Sequence, residues 1–535
     1  MRTPQRVTQS LCTGGALAVL AAGLLACADA DLPGLLIAGG TVYDGSGADP
    51  VLADVLIDGS RIAFVGDAGE AGVRARDTID ATGLMVTPGF IDMHSHVELE
   101  EDYGRAAEIF LYQGITTAVI GVDGGGTPEI SDMYARMSAE GVGLNVVSYV
   151  GHGAVRQQVL GLDDRPPTDA ELEQMRALVR QGMEEGAFGL SSGLFYVPGF
   201  YAETEEVIEL GKIAAEYGGI YDTHDRDLGA AYRGIGYLNS IREAIRIGEE
   251  SGTRVIFSHF NAQGRANYGR ANEGAALIDS ARARGLEVAG AQHVYTATMS
   301  SLRAYAIPRW AAAGGPEQMV RRFSNPDTAS ILDTQTMEML EIRGGPEKIL
   351  FADPRPELNG KTLAEVAAER DLSVPETVRE ILAEDNAWVM NLELYDAENT
   401  RFLATRSWMM TVTDGATPLP DQGVTHPRAY GAFPRKIRLF VEEGNDISMA
   451  FAIRSMTGLA ADFLRLGDRG YVRKGMWADV AVFDRARIND PATYENPHQN
   501  AEGLVHLFVN GVAAISDGRA TGALAGVPVK RAGGP

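Results

Sequence analysis

The stretch PGFIDMHSHVELE, residues 88–100, sets two histidines, His94 and His96, one residue apart behind an apolar run. In an extended chain, residues i and i+2 face the same side. If the apolar run is a buried strand, both imidazoles leave its end aimed at one point, a geometry that suits a metal ion. An isolated pair of this kind is more often two surface histidines in a turn, so the weight falls on further ligands downstream. The chain has 9 histidines. Two more close apolar runs, His224 in GIYDTHDRD and His259 in RVIFSHFNAQG, as do Asp123 in VIGVDGGG and Asp414 in WMMTVTDGATP. Each alone reads as a capping aspartate or a histidine satisfied by a backbone carbonyl. Together, four histidines and two aspartates make a ligand set suited to zinc or a similar first-row ion.

The elements that must carry these residues are short apolar runs alternating with amphipathic helical patterns. ITTAVIGV, LNVVSYVG, FGLSSGL, GGIYDTH, TRVIFSH and LEVAGAQ read as strands. TDAELEQMRALVRQGMEEG and TEEVIELGKIAAEYG read as helices, with an early acidic residue and a terminal glycine as start and stop signals. Serial β-α units predict a parallel sheet, and this many predict a (β/α)8 TIM barrel, whose strands deliver their C-terminal ends to one active face. The barrel is expected over residues 88–464, interrupted by a mostly helical insertion around 300–405. On either side, 35–87 and 465–527 alternate β-branched and apolar residues with glycine and aspartate turns. Both termini are therefore expected to build one small β-sandwich domain on an α/β protein.

Composition narrows the function. The 535 residues are 45% hydrophobic and 22% charged, ordinary for a soluble protein with a large core. A net charge of −25, from 72 acidic and 47 basic residues, argues against binding nucleic acid or an anionic membrane through a basic patch. Residues 1–27 read as an export signal: Arg2 and Arg6 precede an apolar segment that ends in LLAC, which resembles a bacterial lipobox. The expectation is an exported envelope protein that meets the membrane only through a lipid on Cys27. The alternative is a plain signal peptide cleaved near ACADA. The two cysteines, Cys12 and Cys27, both fall in this segment, so the mature chain has no thiolate to offer a metal.

The longer motifs carry a resemblance. VGHGAVR, FGLSSGLFYVPGFYAETEE, THPRAYGAFPR, MTGLAADFLRLGDRGYVRKGMWADVAVFD and PATYENPHQNAEG are similar to the amidohydrolase superfamily, and more narrowly to the D-aminoacylase (N-acyl-D-amino-acid deacylase) family. The likeness spans essentially the whole chain after Leu35. It implies deacylation of N-acyl-D-amino acids, a small-molecule amide substrate, by a metal-activated hydroxide. One or two zinc ions are implied, with manganese or cobalt as alternatives. Carried over by position, His94, His96 and Asp414 would hold one ion, and His224 and His259 a second. Asp123 stands where the family often has a bridging cysteine. Asp414 would be the general base and then the acid for the leaving nitrogen. Arg428 would pair with the α-carboxylate of the acyl amino acid.

Other substrate positions depart from the family. Where relatives read SHHK this chain has SHFN, so a carboxylate-binding lysine becomes Asn261. AQHVYTATMS stands for DVYPYTAGST, which places His293 at a substrate-binding tyrosine and Met299 at a serine. His152 and Ser192 lie in motifs that line the family site, either touching substrate or shaping the loops. His426 is expected to be structural beside Arg428, and His498 and His506 to be non-catalytic. The rival readings are a dipeptidase or cyclic-amide hydrolase of the same superfamily and, from another class, an envelope binding protein that keeps metal without catalysis. The sequence leaves the oligomeric state open.

Overall fold

The structure is a computed structural model that describes residues 32–420 and 422–531. Cys27 and the expected export signal lie outside the described residues.

Eight short parallel strands position the site. They are Phe90–Asp92, Ile115–Ile120, Asn145–Ser148 continued by Val150–Gly151, Gly189–Gly193, Ile220–His224, Arg254–Phe257, Val288–Gln292 and Met409–Thr411. Each pairs in parallel with the next. Beyond the last strand the chain returns to the first: Asp414 donates its N–H to the His94 carbonyl at 3.0 Å, and His96 donates to that of Gly415 at 2.9 Å. The strands are buried on both faces, which is why they read as apolar runs without alternation. Ile91, Val119, Val147, Ile220, Ile256 and Met410, from six different strands, share one buried cluster.

Helices connect successive strands as the sequence predicts. Asp169–Glu185 opens with a capping box in which Thr168 and Glu171 satisfy each other's backbone N–H groups, and it stops at Gly186, where φ is +116°. Thr204–Glu216 and Tyr237–Ser251 follow the next two strands, each burying one apolar face.

Between the seventh and eighth strands lies the long interruption. It is mostly helical, with Pro316–Ser324, Pro326–Ile342, Leu363–Glu369 and Val374–Glu384 around their own apolar cluster. It also carries an antiparallel three-stranded sheet, Thr298–Ser301, Trp388–Asn391 and Ile349–Phe351, that the sequence reading lacked. The two outer strands are 4 and 3 residues long and separated by helices, too short to show a period of two.

The flanking β segments meet. Met85–Pro88 pairs antiparallel with Val480–Phe483, joining five N-terminal and four C-terminal strands in one nine-stranded hydrogen-bonded network. Its apolar core includes Ile37, Val55, Ile62, Val86, Val480 and Phe508. Among the described residues, no helix is long and apolar enough to cross a membrane.

Candidate metal centre and active site

All six expected ligands converge at the C-terminal ends of the parallel strands. His94 and His96 follow the first strand, Asp123 the second, His259 the sixth and Asp414 the eighth, while His224 ends the fifth. Asp123 lies at the middle. Its Oδ1 is 3.5 Å from His94 Nε2, 3.6 Å from His224 Nδ1 and 3.5 Å from His259 Nε2, and its Oδ2 is 3.6 Å from His96 Nε2. Asp414 Oδ1 adds a second carboxylate, 3.6 Å from His94 Nε2 and 3.4 Å from His96 Nε2.

These spacings fit an ion rather than hydrogen bonds. Ligands about 2.0–2.1 Å from a tetrahedral zinc lie roughly 3.3 Å from one another, whereas a contact near 3.6 Å is too long for a hydrogen bond. Both ring nitrogens of His94, Nδ1 of His224, Nδ1 of His259 and Oδ1 of Asp123 are buried without a hydrogen-bond partner. Buried polar atoms are normally satisfied; of these orphans, His94 Nε2 and His224 Nδ1 face Asp123 Oδ1 and mark a place for a cation. Two overlapping triads could each hold one: His94, His96 and Asp123, and Asp123, His224 and His259. Imidazole and carboxylate without thiolate suit a divalent first-row ion.

The local backbone is strained where the ligands turn inward. Asp123, His259 and Asp414 have φ of +54°, +33° and +48°. Non-glycine residues seldom adopt this region, and such strain concentrates at functional sites. Asp92 ties the strand ends together, accepting from the Thr413 N–H at 3.0 Å, the Thr413 hydroxyl and the His94 N–H at 3.3 Å. Burial still pushes the Asp92 carboxyl up to about 7.

Charge at the centre is tightly coupled. Desolvation alone would raise Asp123 and Asp414, but the surrounding histidines, and Arg428 in the case of Asp414, hold both carboxyls well below their usual range. Desolvation would lower His96, yet Asp123 and Asp414 outweigh it and push it up to about 10. Burial, helped by Arg428, pushes His293 down to about 3 and so keeps its ring neutral.

The remaining expected site residues divide. Arg428 ion-pairs with Asp414 Oδ2, and His293 Nε2 lies 3.7 Å from the same oxygen. Met299 lines the cavity. Asn261 does not: its amide donates to the Thr400 hydroxyl at 2.9 Å and its carbonyl accepts from the Ala262 N–H, so the position of the family lysine is turned into the packing. Ser192 bonds the hydroxyls of Tyr221 and Thr223 at 2.8 and 3.0 Å and also lies off the cavity. His152 is buried against Glu206 at 2.8 Å, with Arg156 on the other carboxylate oxygen. Both side chains are engaged within the protein. His426 lines the cavity, accepting from the Arg428 N–H at 3.1 Å and bonding the Ala297 carbonyl at 3.1 Å.

Above the ligands opens a cavity of about 580 Å³. Sequence reasoning missed much of its wall. Tyr196, whose ring centre is 4.5 Å from that of His224, follows the fourth strand. Tyr305, Arg303, Arg343 and Trp388 come from the interruption. Tyr196 sits within FGLSSGLFYVPG and could have been found there; the others had no local signal.

These features define a metal-binding amidohydrolase. A model described as "Amidohydrolase family" matches residues 77–220 and 412–515. The D-aminoacylase of Alcaligenes xylosoxydans xylosoxydans is 33% identical over 515 residues, 92% of this chain and 96% of that protein. A solved D-aminoacylase with a binuclear metal center superposes with a TM-score of 0.79 at 31% identity, over 93% of this chain and 100% of the other. N-acyl-D-glutamate deacylase from Bordetella bronchiseptica, solved with zinc and a phosphonate inhibitor, gives a TM-score of 0.78 at 28% identity, over 94% and 100%. The chain belongs to the D-aminoacylase family of amidohydrolases and acts on amide bonds.

Proposed function

We propose that the protein removes the acyl group from N-acyl-D-amino acids, with His94, His96, Asp123, His224, His259 and Asp414 as the ligands of one or two zinc ions. The observation that carries this reading is the set of four histidine nitrogens spaced 3.5–3.6 Å from the Asp123 carboxylate, with His94 Nε2, His224 Nδ1 and Asp123 Oδ1 unpartnered among the described residues. The eight parallel strands are read as a closed (β/α)8 barrel over 88–464, and the nine-stranded network as a small sandwich built from 35–87 and 465–527. Support comes from the hydrogen bonds of Asp414 to His94 and of His96 to Gly415, and from the core shared by six strands.

A divalent ion bound here supplies Lewis acidity, lowering the pKa of water and polarising the amide carbonyl. The chain's own residues do the rest. Asp414 Oδ1 takes the proton from the attacking water and returns it to the amide nitrogen as that bond breaks. Arg428 grips Oδ2 and so holds Oδ1 toward His94 and His96. Its other guanidinium donors bind the substrate's α-carboxylate, a task suited to their planar fork. His293 Nδ1 accepts from the Tyr295 N–H at 3.4 Å, which leaves the proton on Nε2. That buried N–H has no hydrogen-bond partner among the described residues and lies 3.7 Å from Asp414 Oδ2, beside the proton carrier. The protein is read as exported and anchored through Cys27, on the strength of the LLAC segment.

The test is turnover of N-acetyl-D- and N-acetyl-L-amino acids, dipeptides and hydantoins by metal-loaded protein, beside metal analysis of Asp123→Ala. Hydrolysis confined to N-acetyl-D-amino acids is expected, with at least one equivalent of metal lost from the variant. Preference for dipeptides or hydantoins would replace the substrate assignment, and full metal content in Asp123→Ala would remove the bridge.

A further inference from the structure

Arg343 is a buried cation without an anion. It follows the helix Pro326–Ile342, is 4% exposed and lines the cavity above the ligands. Its Nη1 is buried with no hydrogen-bond partner. No carboxylate of the described residues lies within 4.0 Å of the guanidinium, whereas Arg428, in the same cavity, is paired with Asp414. The carboxylate of Asp227 is already engaged, accepting backbone N–H groups from Gly229 at 2.7 Å, Ala231 at 3.2 Å and Gly236 at 2.7 Å.

What Arg343 does have is aromatic. Its Cζ lies 3.9 Å from the ring centre of Tyr305 and 5.6 Å from that of Phe195. Burial raises the Tyr305 phenol above its usual pKa, so the ring stays neutral and supplies no countercharge. Stacking holds the guanidinium flat and pre-orders its fork, but it offsets only part of the cost of taking a charge out of water. Arg303, another lining residue, also has no carboxylate of the described residues within 4.0 Å. One wall of the cavity is therefore cationic and unneutralised, separate from the Asp414–Arg428 pair.

We propose that Arg343 binds a carboxylate of the substrate's amino-acid half, so that the enzyme is built for anionic N-acyl amino acids. This rests on the deacylase reading and adds the residue that selects among its substrates. A guanidinium that is buried, stacked and orphaned receives a carboxylate through two parallel hydrogen bonds. With Arg428 read as a partner of the α-carboxylate, the carboxylate at Arg343 is that of an acidic side chain or the α-carboxylate shared between the two arginines, and the two sources separate in one assay.

The assay compares N-acetyl-D-glutamate with N-acetyl-D-glutamine, alike in size and differing by one charge, on the metal-loaded wild type and Arg343→Met. If the side chain binds, the ratio of kcat/KM for glutamate over glutamine falls at least 30-fold in the variant, through KM. If the α-carboxylate binds, KM rises at least 30-fold for both and the ratio holds. Changes in KM below threefold for both substrates overturn the proposal. Failure of the wild type to hydrolyse either substrate counts against the deacylase reading instead. Calorimetric titration of the metal-loaded wild type and Arg343→Gln with glutarate and with butyrate then decides, and also serves if Arg343→Met does not fold. Glutarate binding to the wild type at least tenfold tighter than to Arg343→Gln, with butyrate unchanged, supports the Arg343 site, and equal glutarate binding by the two overturns it.

Discussion

Two buried polar clusters lie at the C-terminal ends of the parallel strands, and they treat charge in opposite ways. In the first, His152 and Arg156 close directly on Glu206, and Arg156 reaches the Arg165 carbonyl at 2.6 Å. Its charges are neutralised inside the protein at hydrogen-bond distance. In the second, the histidines and Asp123 stand 3.5–3.6 Å apart, too far to satisfy one another and well spaced for a cation between them. Both clusters contain buried histidine beside carboxylate, so residue type alone does not separate them. Spacing does. A cluster that closes on itself holds the fold, and one held open is kept for a ligand.

Changing one residue in each cluster sharpens the contrast. The largest effect is expected from Asp414→Asn, which keeps the shape but cannot carry the proton. Removing a general acid-base group typically costs roughly 10²–10⁴-fold in rate, so kcat should fall by at least about 100-fold, as steady-state assays would show. A variant within tenfold of the wild type would remove Asp414 as the proton carrier.

Glu206→Gln should act on the other axis. It leaves Arg156 buried without its countercharge, and breaking such a pair costs about 3–5 kcal/mol. Denaturant unfolding should register that loss while metal content stays at the wild-type level. If metal were lost and stability kept, the two clusters would not be separable as argued.

How much of this was legible depends on how local each signal is. The strand runs and the six candidate ligands were readable because burial on both faces writes a continuous apolar run, and because each candidate falls where such a run ends. The roles of individual residues came from the resemblance, which also placed Asn261 at a substrate position. There the structure differs: Thr400, on the helix Ala397–Ala404, offers a hydroxyl that takes the amide away from the cavity. His152 and Ser192 sit inside the quoted motifs, yet their partners Glu206 and Tyr221 lie 54 and 29 residues away. Arg343 was invisible for the same reason. Nothing near it in sequence marks it, and its meaning comes from Tyr305 and Phe195, brought to it by the fold.

A third buried charge tests the comparison most finely, because it belongs to neither cluster. Lys436 is buried with its ammonium on the Thr411 and Ser455 hydroxyls at 2.9 and 2.8 Å, and no carboxylate of the described residues lies within 4.0 Å. Burial pushes its pKa down from 10.5 to about 7. Between those two values the unfolded chain holds a proton that the folded chain has released. Stability from this group therefore rises with pH across the window, and its cost is fully present below about 7. Ser455 keeps a bond to the Ala452 carbonyl at 2.7 Å, so an apolar side chain of similar length strands little. Lys436→Met should accordingly gain about 1–2 kcal/mol at pH 7, within the range seen when buried charges are replaced by apolar groups. The gain should shrink as the pH approaches 10, because the wild type recovers stability that the variant never lost. Thermal unfolding of both proteins at pH 7 and pH 9 measures it. A gain that stays the same at pH 7 and pH 9 would mean that Lys436 remains protonated in the folded protein, and that its two hydroxyl partners suffice to hold a full charge.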